Sequence, residues 1–148
     1  GENQYRRGLY THWQRTFLHP SLMAFDAPAR EESCMAREES STPLQALTLL
    51  NDPSYVEAAR VLAENESSIE AMFRRVLSRD PEPEEKAVLV DLYEKEKTRF
   101  RYDEAAADSL LAVGMKKTAV EGEARFAAAA RTSVARTLLN LHETNTRF

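Results

Sequence analysis

The side chains in this sequence whose types and spacing could do chemistry are few: Asp26, Cys34, Arg37 and Gln45, together with His12, His19 and His142. Asp26 sits in Phe25-Asp26-Ala27-Pro28, a carboxylate between a large apolar residue and a proline-bound turn. In that setting an aspartate caps backbone N–H groups or pairs with an arginine, and Arg15, Arg30 and Arg37 are the nearby cations. A catalytic acid is the alternative role. Cys34, one of the histidines and Asp26 supply the types for a nucleophile, a base and an orienting acid. No GxSxG elbow and no glycine-rich loop stands near to form an oxyanion hole. Tetrahedral zinc takes four N, S or O ligands, usually as closely spaced pairs, and His12 and His19 do not share a helical face. A third reading is a loop-assembled metal site using His12, His19 or Cys34. Glu31, Glu32, Glu38 and Glu39 are numerous, and acids crowded into a loop usually face solvent.

Composition narrows the classes these residues can serve. The chain has 148 residues, 43% hydrophobic and 30% charged, a size and balance suited to one hydrophobic core. A net charge of −4 argues against a general nucleic-acid binder, which presents a basic face to displace phosphate counterions. Arg6 and Arg7 form a basic pair, and Glu94 and Glu96 interrupt the cations near Lys95. No apolar run approaches the ~18 residues needed to span a bilayer, so no membrane insertion is expected. A single cysteine leaves no internal disulfide, no CxxC metal motif and no CxxCH haem attachment. No basic-then-apolar leader is read at the N-terminus, and the chain reads as an excised piece of something longer.

The elements that must position these residues read as helix throughout. Leu9, Trp13 and Phe17 at i, i+4 and i+8 suggest a helix over residues 5–17, ended by His19-Pro20. Residues 20–41 show no sustained period and read as one long ordered loop, pinned to the body by Leu22, Met23, Phe25 and Met35. Thr42-Pro43 is a cap followed by a first-turn proline. The helix after it, to about residue 50, has Leu44, Ala46, Leu47, Leu49 and Leu50 around it and only Gln45 and Thr48 as a polar stripe. That pattern predicts a buried helix, with Gln45 and Asn51 as amides that must find partners.

Asp52-Pro53 repeats the start signal for a helix to about residue 64, carrying Val56, Ala59, Val61 and Leu62. Ser67 with Glu70 reads as a capping box for the next, residues 68–78, with Ile69, Met72, Phe73, Val76 and Leu77 inward. Arg79 is placed to bond the carbonyls at its end. After a turn at residues 80–83, a helix with Val88, Leu89, Leu92 and Tyr93 buried reaches about residue 102. Asp103 caps another, ending at Gly114. A last helix over residues 123–143 turns Phe126, Ala130, Val134, Leu138 and Leu141 inward.

Six segments in order carry a family resemblance: YRRGLYTHWQRT, FDAP, Cys34 followed by Arg37, STPLQALTLLNDPSYVEAAR, FRRVLSRDPEPEE and ARTLLNLHE. The series resembles the C-terminal part of the planctomycete-type domain of unknown function found in large proteins with cytochrome-c-like domains. The resemblance implies an extracytoplasmic, multidomain protein whose haem motif lies in an upstream region, with no cofactor in this segment. It carries no established reaction. Gly8 stands where the family commonly has serine, and Ser41 where asparagine is common.

The sequence therefore predicts a single all-α domain, residues 1–148, of six or seven helices, with the loop 20–41 packed on its body. The leading functional expectation is a non-catalytic structural or interaction module that docks an upstream domain of the same protein or a partner subunit. The competing expectation is part of an enzyme site, lined by Asp26, Cys34, Arg37 and Gln45 and completed by residues N-terminal to this segment.

Overall fold

The computed structural model describes residues 5–12, 14, 17–28, 34–36 and 40–146. The fold is all-α: eight α-helices are present among the described residues, six of them seven residues or longer, with no strand. They are α1 (Pro20–Ala24), α2 (Pro43–Asn51), α3 (Pro53–Asn65), α4 (Ile69–Leu77), α5 (Pro83–Tyr102), α6 (Glu104–Leu111), α7 (Ala124–Leu139) and α8 (His142–Asn145). The chain divides into two compact units, Gly1–Thr48 and Leu49–Phe148.

In the first unit, the helix expected over residues 5–17 is replaced by a 3-10 turn, Gly8–Tyr10, and by a tight pairing of Gln14 with Phe17. Gly8 weakens any helix through it by about 1 kcal/mol relative to alanine. Leu9 and Phe17 both remain exposed, so neither offsets that loss or the cost of nucleation. Trp13, the middle of the expected stripe, lies outside the described residues. Pro20 starts α1 where a long ordered loop is expected from the sequence. His19 before it is extended, and the proline occupies the first turn, where a missing N–H costs nothing. Of the four expected pins, Leu22 and Phe25 are half-buried, whereas Met23 and Met35 are exposed.

The second unit is built around α7. Its face of small residues, Ala129, Ala130 and Ala135, is fully buried and lets neighbouring helix backbones come close. One apolar cluster joins Ala59 and Ala63 of α3, Met72 and Phe73 of α4, Leu89 of α5 and Val134, Ala135 and Leu138 of α7. A second joins Phe100 of α5, Ala107 and Leu111 of α6, and Phe126, Ala129 and Ala130 of α7. Removing a buried aromatic such as Phe73 from such a cluster costs about 3–5 kcal/mol. The caps follow the sequence with small shifts. Asp52 accepts from the Ser54 N–H at 2.8 Å and Asp103 from the Ala106 N–H at 3.0 Å. Ser68, not Ser67, caps α4 by accepting from the Ala71 N–H at 3.1 Å.

Three local expectations are revised. Val88 faces solvent, because the apolar line of α5 runs through Leu89 and Phe100. The last helix breaks between Leu139 and His142, where Leu141 is extended. There the Thr144 hydroxyl and the Asn145 amide donate to the carbonyls of Leu138 and Leu139, groups a continuous helix would have used. Arg79 does reach the Asp80 carbonyl, but its main bonds are to Glu85 at 2.7 and 2.8 Å and Glu143 at 2.8 and 2.9 Å. Its guanidinium lies over the Phe73 ring. These bonds lower the Glu85 carboxyl to about 2, and the Glu143 carboxyl is also lowered, both chiefly by Arg79.

Candidate functional site

The polar residues singled out in the sequence converge on the start of α2. Thr42 and Gln45 form a reciprocal capping box: the Thr42 N–H donates to Gln45 Oε1 at 3.1 Å, and the Gln45 N–H to Thr42 Oγ1 at 3.3 Å. The Gln45 amide nitrogen takes no part in the box. It donates to Asp26 Oδ2 and to Ser40 Oγ, both at 3.1 Å. Asp26 also accepts from the Ser40 N–H at 2.9 Å and from the Ser40 hydroxyl at 2.7 and 2.9 Å.

Asp26 reaches this position through its backbone. Its φ is +57°, the left-handed region, which terminates α1 and turns the chain. The Asp26 and Ala27 N–H groups return to the carbonyls of Met23 and Leu22 at 3.1 and 2.9 Å. Aspartate is among the few non-glycine residues that tolerate this conformation. One residue thus ends α1 and gathers residue 40 and α2 into a clasp.

Of the four expected site residues, Asp26 and Gln45 are in direct contact. Cys34 is exposed, and its thiol donates to the Ala36 carbonyl at 2.7 Å. Arg37 lies outside the described residues, as do Arg15 and Arg30, the other expected partners of Asp26. Ser40 is the member that sequence reading missed. Its signal was available in Ser40-Ser41-Thr42-Pro43, a run of hydroxyls ahead of a helix start. Among the described residues no group of three or more His, Cys, Asp or Glu side chains could hold a metal ion.

The short helix itself differs from expectation. Leu49 is buried, but Leu44 and Leu47 are 62% and 61% exposed. Spaced i, i+3, they form a side-by-side apolar ridge on a helix whose first turn the clasp fixes. Thr48 turns its hydroxyl back to the Leu44 carbonyl at 2.8 Å, and Asn51 is exposed instead of buried. The clasp's carboxylate, hydroxyl and amide bond one another, and Leu44 and Leu47 stand exposed on the helix they start.

The second unit holds a buried charge cluster that the sequence did not announce. Glu57 and Arg60 of α3 are 3% and 0% exposed. Glu57 accepts from the Met115 and Lys116 N–H groups at 3.1 and 2.6 Å, while Arg60 donates to the Lys116 carbonyl and to Glu64 at 2.7 Å. Gly114 precedes this connection with φ +97°. Arg131 and Arg136 of α7 act similarly, donating to the carbonyls of Glu66 and Leu50 at the ends of α3 and α2. Arg131 and Arg136 thus place cations at the C-terminal ends of α3 and α2.

A family model matches residues 1–93, and the chain belongs to that family: PSD1, a protein of unknown function (DUF1553). The matched stretch includes the whole clasp and the ridge. No curated protein and no solved structure matches the chain.

Proposed function

We propose that the chain is a non-catalytic structural or interaction module of a larger extracytoplasmic, cytochrome-associated protein. In this reading it docks an upstream domain of that protein or a partner subunit. The observation that carries the reading is the exposed ridge of Leu44 and Leu47 on a helix start held by Asp26, Ser40 and Gln45. Large aliphatic side chains presented on a fixed frame gain about 1.5–3 kcal/mol each when fully covered. The extracytoplasmic, planctomycete-type setting and an upstream haem domain rest on the six-segment resemblance.

The test is a Leu44→Asp, Leu47→Asp double variant of the protein as its source produces it. Both positions are exposed, so thermal unfolding of the chain itself stays unchanged. Association with the neighbouring domain or subunit, read by co-elution, is lost. The enzyme reading is favoured by one observation, the direct bonding of Gln45 to Asp26. A turnover abolished by Asp26→Ala and untouched by the double variant would establish it over the docking reading.

A further inference from the structure

The line of Phe126, Ala130, Val134, Leu138 and Leu141 predicts one helix, yet α7 stops at Leu139 and α8 starts at His142. Residues 124–146 hold no glycine and no proline, the usual local causes of a break. The break is confined to one torsion. Asn140, at φ −98° and ψ 0°, is near the helical region, and Leu141 has a helical φ of −65° with an extended ψ of 142°. Turning that ψ to about −42° continues the helix. Both arrangements also satisfy the same carbonyls. In the bent one the Thr144 hydroxyl donates to the Leu138 carbonyl at 2.7 Å, and the Asn145 amide to those of Leu139 and Leu141 at 3.2 and 3.1 Å. In a straight helix the backbone N–H groups of residues 142, 143 and 145 take those three carbonyls. Leu138 and Leu141, at i and i+3, stay on one face of it.

The bend is selected from elsewhere in the chain. Glu143 sets both its oxygens on Arg79, 64 residues away, at 2.8 and 2.9 Å. Arg79 also holds Glu85 at 2.7 and 2.8 Å, so it stays paired when Glu143 leaves. The tie is exposed on both sides, and its release strands no buried charge. We propose that residues 140–141 are a one-torsion switch between this bent state and a single helix running from α7 through α8, with the Glu143–Arg79 pair as its latch. In the bent state α8 packs against α4. In the straight state residues 142–145 leave α4 and extend along the α7 axis. The switch thereby links the corner between α4 and α5, where Arg79 sits, to the direction in which residues 142–145 point. It is independent of the Leu44 and Leu47 ridge.

The experiment is NMR of the whole chain, reading the Cα chemical shifts of residues 139–145 at low ionic strength. Leu141 should read as extended in the unaltered chain. Glu143→Gln should move its shift toward the helical value, with the bent-to-straight ratio falling about threefold to fivefold, the strength of an exposed ion pair. Adding Asn140→Ala raises helix propensity at the junction, and adding Thr144→Ala removes a hydrogen bond made only in the bend. The triple variant should therefore read as helical from α7 through residue 145, while Val134 keeps its helical shift throughout. Three results would overturn the proposal. Leu141 could stay extended in the triple variant, which denies the straight state. Restoring Glu143 to that variant could change nothing, which denies the latch. Residues 142–145 could lose their helical shifts in Glu143→Gln, which means that α8 unravels and does not join α7.

Discussion

Gly114→Ala should be among the most damaging single-methyl additions to this protein, and the reason lies in the buried carboxylate beside it. A Cβ at residue 114 would stand 2.6 Å from the Cβ of Glu57 and 2.5 Å from its Oε2, with the backbone at φ +97°. A side chain in the left-handed region costs roughly 1–2 kcal/mol by itself. The collision adds more, because Glu57 cannot withdraw without giving up the Met115 and Lys116 N–H groups. It is also 3.8 Å from the fully buried Arg60, whose charge it helps to balance. Leaving one member of a buried charge pair uncompensated costs about 3–5 kcal/mol, so the total loss is of that order or slightly above. For a unit of about 100 residues this lowers Tm by roughly 15–25 °C. Gly122→Ala is the matched control. Its φ is +64° with nothing within 4 Å of the new methyl, so it carries backbone strain alone. Thermal and urea unfolding of both variants, followed by circular dichroism, separate the two terms. If Gly114→Ala were no more destabilising than Gly122→Ala, the tight seat of residues 114–116 on Glu57 would be refuted.

A chain cut after residue 93 keeps the full family match but loses Val134, Ala135 and Leu138 from the main apolar cluster, and it should show no cooperative unfolding by calorimetry. Asp26→Ala should abolish amide-exchange protection at Ser40, whose N–H has Asp26 as its acceptor, while amides of α7 keep theirs. Acid should weaken the fold as pH falls from about 4.5 to about 2. Glu85 is depressed by Arg79 and Glu70 by Lys86, so the stability they add is present above the unfolded value and lost through the folded one. Arg79→Ala should flatten the part of that slope due to Glu85 and Glu143, measured as urea midpoint against pH, and leave the Glu70 part.

Much of the fold was legible because the sequence repeats a single device, a capping side chain followed by an apolar period of three and four. Asp52-Pro53, Asp103 and the Phe126, Ala130, Val134, Leu138 line all act as their spacing predicts. The failures have physical causes too. The stripe of Leu9 and Phe17 had the right spacing, but spacing does not supply a surface to bury it, and Gly8 made the helix costly. The Thr42–Gln45 capping box and the junction at Asp26 were within reach, since caps are local chemistry. Ser40 carried a local signal as a hydroxyl ahead of a helix start, but its pairing with Asp26 did not, because that depends on Asp26 taking a left-handed backbone. Glu57 and Arg60 look like an ordinary solvated i, i+3 pair on α3. Their burial depends on a connection some 58 residues away in sequence, where Gly114 allows backbone amides to reach the carboxylate.

The central claim is that the ridge on α2 is a docking surface. Hydroxyl-radical footprinting tests it most directly, comparing side-chain oxidation in this chain alone with the intact protein or assembly from its source. Leu44 and Leu47 should be oxidised readily in the chain alone and protected in the intact protein, while Val88, exposed on α5, reacts equally in both. Equal oxidation of Leu44 and Leu47 in both samples would contradict the account.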